Sequence, residues 1–167
     1  IEFWASQVKK GEQYYFNLDL NSSDIVGDDP SKLDEKGYGN NDVLGDDGAH
    51  GTHVSGIIAA RRNNWAGMDG QADNVLIMPI RAIPDGDELD KDVANAVYFA
   101  VNHGAKIINM SFGKPFSPHK DYVMAAFKYA EANDVLIVHA AGNDHQNLDL
   151  ADSFNFPNRK MLNDDFS

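Results

Sequence analysis

Three short segments hold the residues of this chain best suited to chemistry. The first is Asp47-Gly48-Ala49-His50-Gly51-Thr52-His53-Val54-Ser55-Gly56, a histidine among small neighbours that leave its ring approachable. An imidazole titrates near pH 6.5 and can take and return a proton at neutral pH, so His50 is a candidate general base. The second is Asn109-Met110-Ser111-Phe112-Gly113, a hydroxyl directly after an apolar run. The third is Ala140-Ala141-Gly142-Asn143-Asp144, where the Asn143 amide can donate a hydrogen bond to an oxyanion forming beside it. Each segment also has a plain reading. His50 can cap a helix with His53 packed beneath it, and Ala-Gly-Asn after a strand is commonly a turn.

Other chemistries fit less well. His50 and His53 stand three apart, whereas zinc peptidase helices space two histidines by four with a glutamate between them. Gly51 and Thr52 fill the interval here and supply no base, so no metal site is expected. Gly45, Gly48 and Gly51 follow no predicted strand, which leaves them a weak phosphate cradle. Ser111 differs from a nucleophile elbow at one position, and an elbow needs a helix straight after its serine. Pro115 and Pro118 forbid one, because proline lacks a donor and biases the residue before it away from helical angles. An α/β-hydrolase-type esterase using Ser111, Asp144 and His145 is the alternative that this segment leaves open.

The elements that must position these residues are legible from His50 onward. Val54, Ile57, Ile58 and Arg61 recur at helical spacing after His50, and Val75 to Arg81 reads as a strand. Val93, Ala96, Val97, Ala100 and Val101 form an apolar helical stripe, with Asp87 or Asp90 as its cap and Gly104 at its end. Lys106 to Met110 is the next strand. Ser117-Pro118 opens a further helix through Val123, Ala126, Phe127 and Ala130 to Asn133, and strand Val135 to Val138 follows. Short apolar strands alternating with amphipathic helices predict a parallel sheet covered on both faces, with chemistry at the carboxyl ends of the strands. Three regions follow: a loop-rich acidic stretch over 1–49, a core over 50–148 and a polar tail over 149–167.

Composition narrows the partners. The chain has 167 residues, 14 Lys+Arg against 26 Asp+Glu and a formal charge of −12, a field that repels nucleic acid and anionic lipid. It has no cysteine, so disulfides, thiolate nucleophiles and Cys-ligated zinc are out. No apolar run is long enough to span a bilayer.

In order, the three segments resemble the subtilisin-like serine peptidases, over roughly residues 46–146. The resemblance implies a three-layer fold, a mostly parallel sheet flanked by helices, here incomplete. It implies His50 as the catalytic base with His53 structural, and Asn143 as the oxyanion donor. Ser111, Phe112 and Gly113 would line the main specificity pocket and pair with the backbone of a peptide or protein substrate. Two family motifs are missing: no Asp-Ser-Gly or Asp-Thr-Gly precedes His50, and no Gly-Thr-Ser-Met-Ala follows Asn143. Asp19 and Asp24 lack the flanking residues of that aspartate. The expectation is therefore a central piece of an endopeptidase, inactive by itself, from a secreted or cell-envelope bacterial protein. A pseudo-enzyme that keeps the groove for binding is the second reading. No cofactor is required by the chemistry; calcium is a family habit, for which Asp28, Asp29, Asp42, Asp46 and Asp47 offer oxygen ligands. An incomplete sheet should also leave an edge open to self-association.

Overall fold

Helix α3 (Asp90–Asn102) and helix α4 (Lys120–Ala132) build the core because each turns a small-residue stripe inward. Val93, Ala94 and Val97 of α3 meet Val123, Met124, Ala126 and Ala130 of α4. Small side chains let two helices approach closely, and the removal of this apolar surface from water drives the packing. The computed structural model describes residues 5, 8–9, 11–45, 47–83, 88–150 and 155–158. Its contacts divide the chain into two compact units, Ile1–Asn40 with Ala82–Ser167, and Asn41–Arg81.

In the first unit, strands β1 (Ile107–Met110) and β2 (Leu136–His139) pair in parallel, with Ile107 opposite Leu136 and Met110 opposite His139. Helix α4 makes the crossover between them. Side chains alternate along each strand. Ile108, Met110 and Ile137 join the helical core, while Ile107, Leu136 and Val138 are 63%, 59% and 46% exposed. Among the described residues of this unit, the helices pack on one face of the sheet. The arrangement is an incomplete α/β fold.

Gly104 ends α3 as expected, with φ 86°, and the Ala105 N–H returns to the Ala100 carbonyl at 3.0 Å. Two expected caps differ. Asp90 is the first residue of α3 rather than its cap, and Asp87 lies outside the described residues. Ser117 does not cap α4, because its hydroxyl donates to the buried Asp90 carboxylate at 2.9 Å and the helix begins three residues later.

The segment before α3 is not free loop. A one-turn helix α1 (Ser23–Val26) ends at Gly27 with φ 75°, and the following residues surround Lys91. The Lys91 ammonium donates to Asp28 Oδ2 at 2.7 Å, to the Asp29 carbonyl at 2.8 Å and to Glu35 Oε2 at 2.7 Å. All three protons are used, as burial of an ammonium demands. Tyr38 donates to Asp92 at 2.5 Å and accepts from Asn95 at 2.9 Å, which fastens the same segment to the half-buried start of α3.

The second unit holds helix α2 (Ala49–Ala59), which has no buried residue, and the chain that returns along it. After the helix, Gly70, Gln71 and Ala72 donate to the carbonyls of Ala60, Ile57 and Ile58. A Cβ on Gly70 would collide with the Ala59–Ala60 backbone, so only glycine permits that approach. Residues 75–81, expected as a strand, are extended without a ladder. A strand needs a neighbour for its N–H and C=O groups, and among the described residues this unit contains no other strand. Its apolar side chains stay in water, Leu76 fully.

Candidate functional site

The carboxyl ends of β1 and β2 set the position of everything that follows them. Their ladder extends by one bond, from the Ala140 N–H to the Met110 carbonyl at 3.0 Å. Beyond it, Ser111 to Gly113 lies outside any helix or turn and Lys114 forms an isolated bridge, so no helix starts at Ser111. The elbow geometry that an esterase would need is thus absent at this serine. Ser111 Oγ accepts a bond from Asn109 Nδ2 at 2.9 Å.

A third segment, residues 155–158, holds the two strand ends together. Lys114 and Phe156 exchange antiparallel backbone bonds of 3.0 and 2.8 Å. This bridge brings the Asn155 carboxamide between two glycines. Asn155 Nδ2 donates to the Ala140 carbonyl at 3.0 Å, a Cβ on Gly113 would overlap Asn155 Oδ1, and one on Gly142 would lie 3.3 Å from Nδ2. Gly142 has φ 90°, which turns the chain just before Asn143. Ser111, Phe112, Gly113 and the Gly142-Asn143 turn therefore gather at one end of one sheet, with Asn143 exposed to solvent.

Charged groups lie beside the Ser111–Lys114 segment. Asp90 accepts from the Ser117 hydroxyl, from the His119 N–H at 2.7 Å and from Lys114 Nζ at 2.8 Å. Burial pushes its carboxyl up, but Lys114 and these two donors outweigh that and hold it below the ordinary range. Lys114 Nζ also donates to the Glu88 carbonyl, and Glu88 Oε1 accepts from the Gly113 N–H at 3.2 Å. His139, the last residue of β2, packs its ring edge-on to Phe112 with centroids 6.2 Å apart. Burial lowers its pKa, against a backbone hydrogen bond with Phe112 that favours the charged ring. Sequence reading assigned no site role to Asn155, Glu88 or His139, and read Asp90 only as a helix cap.

His50 is the second residue of α2, in the second unit, with its side chain exposed. Asp47 accepts the Ala49 N–H at 3.1 Å and so holds the start of that helix. Among the described residues no group of three or more His, Cys, Asp or Glu side chains could hold a metal ion. Of the acids suggested for calcium, three are engaged by other groups. Asp28 faces the Lys91 ammonium, Asp42 accepts the Gly45 and Leu44 N–H groups and pairs with Arg81, and Asp29 is held at about 2 by Ser31 and Lys32. Asp46 lies outside the described residues. Among the described residues no helix is long and apolar enough to cross a membrane.

Comparison with known proteins agrees with the motif pattern. The profile of the subtilase family matches residues 16–163. The chain is 40% identical over 96 residues to a thermophilic serine proteinase of Bacillus sp. (strain AK1), covering 57% of this chain and 23% of that protein. It is 35% identical over 131 residues to a cell wall-associated protease of Bacillus subtilis (strain 168), covering 78% and 14%. It is 33% identical over 121 residues to the major intracellular serine protease of the same organism, covering 71% and 37%. The chain thus spans well under half the length of these relatives. No solved structure matches it.

Proposed function

Because the chain belongs to the subtilase family, we propose that it forms the central part of a subtilisin-like serine endopeptidase, with His50 as the general base and Asn143 as the oxyanion donor. One observation carries this reading: Ser111–Gly113 and the Gly142-Asn143 turn meet through Asn155 at the carboxyl end of a parallel sheet. An extended peptide can pair with the backbone of Ser111–Gly113, which lays its scissile carbonyl beside the Asn143 amide. His50 would take the proton of an attacking serine and pass it to the leaving amine. The serine and the aspartate that orients the histidine belong to motifs not found in these 167 residues, so the chain alone should bind but not turn over.

The substrate class proposed is peptide or protein, and the location secreted or cell-envelope, bacterial. The names of the relatives point to both the cell wall and the cell interior. Residues 1–49 are proposed as an acidic elaboration before the histidine, 50–148 as the catalytic core and 149–167 as a polar tail.

The test is proteolysis of casein by the protein encoded by the full open reading frame. His50→Ala should abolish it and Asn143→Ala should lower kcat by about 10²–10³. The chain of residues 1–167 should show none. Turnover by this chain that disappears in Ser111→Ala would replace the proposal with a hydrolase acting through Ser111.

A further inference from the structure

Gly113 is the last residue beyond β1 before the backbone is committed, since the N–H and C=O of Lys114 already pair with Phe156. A peptide strand laid along Ser111–Gly113 bonds to alternate residues on one side, and Phe112 faces the other way toward His139. The Gly113 N–H is thus a donor that an incoming carbonyl needs. In the structure that donor is taken by the carboxylate of Glu88, 3.2 Å away.

Among the described residues no lysine or arginine forms an ion pair with the Glu88 carboxylate. The residue is only 9% exposed. The Lys114 ammonium is directed to Asp90 and to the Glu88 main-chain carbonyl rather than to the Glu88 carboxylate. A peptide N–H carries only part of a positive charge, and a largely buried carboxylate is stabilised far better by a full cation. The chain as a whole carries −12, so cationic peptides are also drawn toward it from solution.

Resting on the peptide-groove reading above, we infer that Glu88 is a specificity-determining residue of that groove. It holds the Gly113 donor in the free chain, yields it to the carbonyl of an extended peptide, and pairs with a lysine or arginine of that same peptide. A neutral peptide must displace the carboxylate and leaves it without a partner. A basic peptide supplies the missing cation.

The experiment uses two capped extended hexapeptides that differ at one central position, lysine in one and norleucine in the other. Their Kd values for the 167-residue chain are measured by calorimetry, and the Gly113 amide resonance reports where they bind. The lysine peptide should bind the unmodified chain about ten-fold more tightly than the norleucine peptide. In Glu88→Gln, which keeps the size and the acceptor but not the charge, that preference should fall to about two-fold or less. Binding of both peptides at Gly113 with no lysine preference, or with a preference that survives Glu88→Gln, would overturn the inference while leaving the groove in place. Failure of both peptides to move the Gly113 resonance in either protein would overturn the groove reading, and this inference with it.

Discussion

Asn155 is joined to Ala140 by a 3.0 Å hydrogen bond, and its carboxamide occupies the space that a side chain on Gly113 would need. A residue 15 positions along the chain thereby packs against both Gly113 and the Gly142 turn. Gly113→Ala should push that carboxamide aside and cost about 1 kcal/mol, the worth of one hydrogen bond. In an Asn155→Gly background the same change should be nearly neutral. Urea denaturation of the four proteins gives the coupling energy, and additive costs would show that the two residues do not share this space.

Lys91 is the strongest structural tie of the acidic segment. Its side chain is 4% exposed and that of Asp28 1%, so removal of the ammonium strands a buried carboxylate. Lys91→Met should destabilise the chain by about 3 kcal/mol, read from denaturant midpoints. Burial raises Asp28, but Lys91 and Ser23 lower it further, so its folded pKa lies below the ordinary 3.8. Its contribution is therefore present above that value and is lost as the pH falls through the folded one. Burial lowers Lys91, but Asp28 and Glu35 raise it above the ordinary 10.5. Its contribution is complete below 10.5 and is lost as the pH rises through the folded value. Lys91 also lowers Glu35 from the ordinary 4.5, so stability from this cluster should be flat between about 4.5 and 10.5, with wild type and Lys91→Met differing by a constant amount there.

His139 titrates in the opposite sense for a base. Burial holds its folded pKa below 6.5, so the fold prefers the neutral ring, and the unfolded chain binds the extra proton first. Its contribution is complete above 6.5 and declines as the pH drops from there toward the folded value. Thermal melts between pH 7 and pH 5 should show a steeper loss in the wild type than in His139→Phe. Parallel profiles would exclude the residue as the cause.

Much of the core was legible because its apolar period matched one element at a time. The α3 stripe, Gly104 as its stop and the strand ending at Met110 all rest on local signals, and the structure keeps them. What was not legible depends on partners distant in sequence. Residues 75–81 have a strand's composition, yet composition supplies no neighbour. Ser117 has the residue type and the following proline of a cap, but Asp90, 27 positions earlier, captures its hydroxyl. Ser111, Phe112, Gly113 and Asn143 were chosen from motif type, whereas Asn155 and Glu88 enter through a backbone bridge and one side-chain bond that no motif encodes.

The exposed sheet face makes a fourth expectation concrete. Ile107, Leu136 and Val138 form a contiguous apolar surface on β1 and β2, large enough to favour association in water. The 167-residue chain should dimerise or aggregate in analytical ultracentrifugation at micromolar concentration, and Leu136→Lys should shift it toward monomer. A monomer in both cases would remove self-association from the account.

The central claim is that His50 and Asn143, 93 positions apart (143 − 50), serve one reaction. A crystal structure of the protein encoded by the full open reading frame measures it directly. Base and oxyanion donor must each reach the reacting atoms within about 3 Å, so their side chains should lie within roughly 12 Å of each other on one side of the sheet, with the nucleophile between them. His50 and Asn143 on opposite faces of an intact parallel sheet would contradict the account.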